Sequence, residues 1–174
     1  SAFLGTTNKM LVMNNGVLSP IQTALSAVTD IEFSKSEPLL GYYSAGTRAY
    51  KLTLTPTSSG YSAVSQSISS LSNQINCLHV FDNNSVIMAG ANSLMNYYNK
   101  STTTNYPLLS SPGVIFRDIY FHDNKTGIAV GDAGKIFHLF SAVNDPITHD
   151  IQANGFSSVQ ETALDIVLGN NTGY

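Results

Sequence analysis

The chain has 174 residues and a formal net charge of −3, enough length for one domain with its own core. Its eight Lys and Arg are scattered from Lys9 to Lys135, so it lacks the clustered cations that a nucleic-acid backbone requires. No apolar run approaches the roughly 18 residues of a membrane helix, and the single cysteine, Cys77, excludes an internal disulfide and any multi-cysteine metal site.

Read in chain order, the segments are short and β-like. Ala2-Phe3-Leu4-Gly5 and Lys9-Met10-Leu11-Val12 form two strands, with a less regular one from Val17 to Leu25. Asp30-Ile31-Glu32-Phe33 and Gly41-Tyr42-Tyr43-Ser44-Ala45-Gly46 open a second group, closed by Tyr61 to Ile68. Val64 to Leu71 has a faint helical reading, which its serines oppose. Cys77-Leu78-His79-Val80-Phe81, Val86 to Gly90 and Leu94 to Tyr98 make a third group, and Cys77 reads there as a small buried thiol. In the fourth group Ile119 and Phe121 alternate with Tyr120 and His122, the period of a pleated strand. Asp123-Asn124-Lys125-Thr126-Gly127 has turn chemistry. Ile128 to Gly131, Ile136 to Phe140 and Ile147 to Ile151 follow as strands, and Asp165 to Tyr174 opens one further copy.

These groups are copies of one unit. Leu78 to Gly90 aligns on Ile119 to Gly131 without a gap at an offset of 41, and Leu94 to Tyr98 falls on Lys135 to Leu139. Gly5, Gly46, Gly90 and Gly131 recur at spacings of 41, 44 and 41, within the range of propeller blades. The expected fold is therefore all-β: a β-propeller of about four blade-repeats of 41–47 residues. The units run approximately 1–29 (partial), 30–76, 77–117, 118–164 and 165–174 (partial). A β-sandwich has no such period; a β-solenoid is the structural rival. The whole is either a self-contained ring, closed by a composite blade from the two chain ends, or part of a larger propeller with further blades from the same or another chain. The start at Ser1, without an initiator Met or a charged-then-apolar leader, fits either mature processing or excision from a longer protein.

The stretch from Asp118 to Ile136, with Phe121-His122-Asp123, Gly127-Ile128-Ala129-Val130-Gly131 and Gly134-Lys135-Ile136, resembles the repeats of Ycf48-type photosystem II assembly factors and the wider BNR-like, sialidase-type propellers. The resemblance implies the propeller fold. Its departures keep the families' functions from being carried over. The chain has no Trp, Ser93 stands where the neighbouring unit has Gly134, and Arg48 and Arg117 are the only arginines where a sialidase needs three. WD40 and Kelch propellers fit less well, for want of Trp-Asp and paired-glycine signatures.

Candidate sites are few. Asp30, Asp118 and Asp165 recur just before a first strand, either to bind backbone N–H groups or to ring a channel for a cation. His79, His122, His138 and His149 fit ordinary polar strand positions better than a metal site. Asn83, Asn99, Asn124 and Asn170 each begin an Asn-x-Ser/Thr sequon. Tyr42, Tyr97 and Tyr120 are candidates for a binding face. No phosphate loop, nucleophile elbow or Cys/His pair is present, so no catalytic residue, cofactor or metal is assigned. Charged residues are 11% of the chain, well under the roughly 25% usual for globular domains, and polarity comes from Ser, Thr and Asn. That surface suits an extracellular or cell-surface setting, with an organelle lumen as the alternative. The expected function is a non-enzymatic scaffold that binds a protein or a glycan. The alternatives are part of a glycan-acting enzyme and a structural subunit of an extracellular appendage or viral fibre.

Overall fold

A computed structural model describes residues 2–14, 17–23, 26–58, 60–100, 102–105, 113–123, 126–141 and 151–152. They form four antiparallel sheets in which each strand pairs with the next in sequence. The first sheet has three strands, β1 (Ala2–Gly5), β2 (Lys9–Asn14) and β3 (Val17–Thr23). The second has β4 (Val28–Phe33), β5 (Leu40–Ala45), β6 (Arg48–Thr57) and β7 (Gly60–Ser70). The third has β8 (Ile75–Asp82), β9 (Ser85–Gly90), β10 (Met95–Asn99) and β11 (Thr102–Asn105). The fourth has β12 (Phe116–Phe121), β13 (Thr126–Gly131), β14 (Ile136–Ser141) and β15 (Ile151–Gln152). Four successive four-stranded or near four-stranded meanders are propeller blades. Purely antiparallel pairing rules out the solenoid. The stretch from Val64 to Leu71 carries most of β7 as strand: alternating exposure along that strand suits a pleat, not a helix.

The pleat explains the stacking. Successive side chains point to opposite faces, and in the inner blades both faces are apolar. On β5, Tyr43 packs in a core with Met10 of the first sheet, while its neighbour Tyr42 packs with Leu78 and Val80 of the third. On β9, Val86 and Met88 face back to the second sheet, and Ile87 and Ala89 face forward to Phe116, Ile119 and Phe137 of the fourth. Three cores therefore lie between four sheets. Each large apolar side chain fully buried this way contributes about 1.5–3 kcal/mol.

The first strands share one irregularity. The ladder skips a residue between Val28 and Asp30, between Ile75 and Cys77, and between Phe116 and Asp118. These β-bulges turn the skipped residue aside. Thr29 donates from Oγ1 to the carbonyl of Ile75, and Asn76 donates from Nδ2 to the carbonyl of Phe116, both at 2.8 Å. The first two bulges thus bond to the start of the next sheet's first strand. Backbone bonds repeat the link, with Val28 N–H donating to Thr6 and Ile75 N–H to Gly46, both at 2.9 Å.

This register corrects the glycine alignment at one position. Ala45, Gly90 and Gly131 pair with Val28, Ile75 and Phe116, and Gly5 likewise ends its strand. Gly46 lies one residue further on, in a tight turn at φ +62°. Gly90 is required for closeness: a Cβ there would lie 1.9 Å from the carbonyl oxygen of Gln74. The site aligned with Gly134 is held differently. Ser93 adopts φ +60°, where glycine is favoured. Its N–H donates to the carbonyl of Val114 at 2.6 Å and its Oγ accepts from Val114 N–H at 3.0 Å.

Gly90→Ala must displace the backbone at Gln74. The expected loss is about 2–4 kcal/mol, read from the midpoint of chemical denaturation, whereas Ala45→Gly at the equivalent place should cost less than half as much.

Candidate functional site

The inner edges of three sheets converge on one pocket. β4, β8 and β12 are the first strands of their sheets, each with one edge turned away from its own ladder. Between them lies a pocket of about 230 Å³ lined by Asp30, Ile31, Glu32, Leu78, His79, Asp118, Ile119 and Tyr120. Register makes Asp30, Cys77 and Asp118 equivalent, and likewise Glu32, His79 and Tyr120.

An edge strand presents every second N–H without a ladder partner. Asp30 and Glu32 supply acceptors for those of β8. Asp30 Oδ2 accepts from Leu78 N–H and Glu32 Oε2 from Val80 N–H, both at 2.8 Å. Asp30 Oδ1 also accepts from Ile31 N–H, and Asp118 Oδ1 from Ile119 N–H, each at 2.8 Å. The recurrent aspartates at 30 and 118 therefore bond inner-strand N–H groups; Asp165 lies outside the described residues.

His79 stands between the walls. Its side chain is 5% exposed and its Nδ1 lies 3.4 Å from Glu32 Oε1. Its ring makes edge contacts with Phe81 and Tyr120 and stacks on Phe121. Burial dominates both titrations. It raises Glu32 to about 7, with the Val80 N–H opposing and the charge of Asp30 adding to the rise. It lowers His79 to about 4, with Lys35 adding and Asp118 opposing. Asp30 is also raised by burial, against the N–H bonds from Leu78 and Ile31. The pair thus favours a neutral imidazole beside a carboxyl that ionises near neutrality.

The other candidates separate. Tyr42 and Tyr97, expected on a binding face, are core residues, 0% and 4% exposed. The alternation places them under the next sheet, which corrects that expectation. Tyr43 and Tyr98 are buried as well, whereas Tyr120 is 54% exposed beside the pocket. Cys77 is buried, and burial raises its thiol pKa. His122 and His138 are exposed on the fourth sheet; His149 lies outside the described residues. Among the described residues, no three His, Cys, Asp or Glu are grouped as a metal ion would need.

Of the sequons, Asn124 and Asn170 lie outside the described residues. Asn99 ends β10 and is half-buried. Asn83 ties the first turn of the third sheet to that of the second. Its Oδ1 accepts from Ser34 and Ser36 at 2.6 and 3.0 Å, and its Nδ2 donates to Glu37 at 2.8 Å. Its carbonyl accepts from Tyr42 Oη and Lys51 Nζ at 2.9 and 2.7 Å. Sequence reasoning missed this clamp and the Glu32–His79 pair, since neither recurs from unit to unit.

The chain matches no protein-family model and no curated protein sequence. Solved structures do match in shape. A humanized mutant of the Chaetomium thermophilum Polycomb Repressive Complex 2 bound to the inhibitor GSK126 superposes with a TM-score of 0.63 at 14% identity, over 83% of this chain and 36% of that one. Kluyveromyces lactis Hsv2 gives a TM-score of 0.50 at 11% identity, over 86% of this chain and 49% of that one. The present chain thus spans about a third and about a half of their lengths. At this identity the likeness shows the fold alone, that of a β-propeller.

Two outcomes check the site. Glu32, with its pKa raised in the fold, contributes stability that is full below pH 4.5 and lost as pH rises through about 7. His79, with its pKa lowered, contributes stability that is full above pH 6.5 and lost as pH falls through about 4. Glu32→Gln keeps an acceptor for Val80 N–H and removes the first dependence. Its stability relative to wild type should rise by on the order of 1 kcal/mol between pH 5 and 8 in urea denaturation. Asn83→Ala removes the clamp's side-chain bonds and should cost about 1–3 kcal/mol, read as a fall in Tm.

Proposed function

We propose that this chain is a non-enzymatic, protein-binding propeller scaffold whose inner-strand pocket receives a cationic side chain of a partner protein. The observation that carries the reading is the pocket's character. Asp30, Glu32 and Asp118 line it, no Lys or Arg does, and Tyr120 stands exposed beside it. Its volume of about 230 Å³ falls below the roughly 300–1,000 Å³ of small-molecule sites and suits a single inserted side chain. Tyr adds contact area and a polar tip at low entropic cost. Complementary charge steers encounter and specificity. The β-propeller architecture supports a scaffold role in general terms.

Of the two arginines, Arg117 is paired with Asp132 at 2.5 Å and Arg48 begins β6 of another sheet, which disfavours sialidase-like chemistry and glycan carboxylate binding. The Ycf48-type resemblance remains one of residues 118–136. An extracellular or cell-surface location is part of the proposal, on the low charge and the amide- and hydroxyl-rich composition.

The test is fluorescence anisotropy with short labelled peptides differing at one central residue. Lys- and Arg-centred peptides should bind more tightly than Gln- or Glu-centred ones, and the preference should strengthen from pH 6 to 8 as Glu32 ionises. Tyr120→Ala should weaken binding about tenfold, and Glu32→Gln should flatten the pH dependence. Equal binding of Lys- and Glu-centred peptides, or none of either, overturns the reading.

A further inference from the structure

The acceptors of the inner-strand pocket are already partly engaged, and those left open decide which cation fits. Asp30 has both carboxylate oxygens in use, Oδ1 by Ile31 N–H and Oδ2 by Leu78 N–H. Glu32 Oε2 accepts from Val80 N–H, and its Oε1 faces His79 Nδ1 at 3.4 Å. Asp118 Oδ1 accepts from Ile119 N–H, while its Oδ2 accepts no hydrogen bond among the described residues. No carboxylate of the pocket therefore keeps two open oxygens.

His79 adds an acceptor of another kind. Its side chain is 5% exposed and lines the pocket. Burial keeps the imidazole neutral. A neutral imidazole carries one proton, and the Glu32 carboxylate beside Nδ1 holds that proton there. Nε2 is then left with a lone pair, and it makes no hydrogen bond among the described residues. A buried acceptor without a donor bears a desolvation cost that a donor from outside relieves.

Cations meet such a set differently. A guanidinium is a planar fork that binds best to both oxygens of one carboxylate. Here the fork has to share an oxygen with a backbone N–H, and at Asp30 and Glu32 those N–H bonds join two sheets. An ammonium is a compact charge with three separate N–H donors. It can bond singly to Asp118 Oδ2, to His79 Nε2 and to the remaining lone pair of Glu32 Oε1. A trimethylated ammonium keeps the charge and has no donor, so it leaves all three acceptors unmet.

We infer that the pocket selects an unmethylated lysine ammonium over both an arginine guanidinium and a trimethylated lysine. The inference rests on the reading of the pocket as a receptor for a cationic side chain and adds the donor pattern that it recognises. Asp118 and His79 set the selectivity, and Asp30 contributes charge. Tyr120 offers its ring face to any of the three cations and does not choose among them.

The test is an NMR titration of the full 174-residue chain, labelled with nitrogen-15, following the amides of Val80 and Ile119. The probes are nine-residue peptides of one sequence with Lys, Arg, Nε-trimethyl-lysine or Gln at the centre. The Lys peptide should bind about tenfold more tightly than the Arg and trimethyl-lysine peptides, the worth of one charge-assisted hydrogen bond. Asp118→Asn keeps an acceptor for Ile119 N–H and turns the open oxygen into a donor. It should bring the Lys peptide down to the level of the Arg peptide, with the fold checked by circular dichroism. Equal binding of the Lys and Arg peptides above Gln overturns the selectivity and leaves the pocket reading standing. Trimethyl-lysine binding as tightly as Lys, or an unchanged preference in folded Asp118→Asn, overturns it as well. Equal binding of all four peptides overturns the pocket reading itself. The wild-type series decides the matter even where the variant does not fold.

Discussion

Every sheet in the inner part of this protein has two apolar faces, and a pleated sheet so made is never satisfied by one neighbour. Tyr42 and Tyr43 are adjacent in sequence yet enter different cores, as do Val86 and Ile87. Water is excluded only if sheets follow one another, each giving one face backward and one forward. Small residues such as Ala45, Ala49, Ala89 and Ala129 among the larger ones let the sheets approach. The order of blades and the position of the pocket both descend from this requirement.

The inner edge poses a second problem, since stacking leaves the outward N–H groups of the first strands without ladder partners. Carboxylates from the preceding sheet answer it at Leu78 and Val80. The same groups give the pocket its negative character, so one set of side chains serves cohesion and, on the proposed reading, recognition. Glu32 and His79 interrupt the repeat at this point, the place where repeating units become individual.

Much of the architecture was legible in the residues. The 41-residue offset, the alternation of Ile119 and Phe121 with Tyr120 and His122, and the turn residues between strands are local signals, and a strand's period and its turns are local physics. Asp30 and Asp118 recur visibly in the sequence, and each accepts a bond from the N–H of its successor, Ile31 and Ile119. Asn83 shows the other side: the sequon is visible in three letters, while its clamp on Ser34, Ser36 and Glu37 depends on residues 46–49 positions away.

What the sequence determined by itself was the repeat, the β period within it and hence the propeller class, because each rests on spacing along the chain. Which face each tyrosine occupies, that Gly46 sits one step beyond the place held by Gly5, Gly90 and Gly131, and that Glu32 meets His79 were decided only in three dimensions. A bulge of one residue shifts register and reverses the direction of every following side chain, and the contacts that set burial and charge lie between sheets, where sequence distance carries no information.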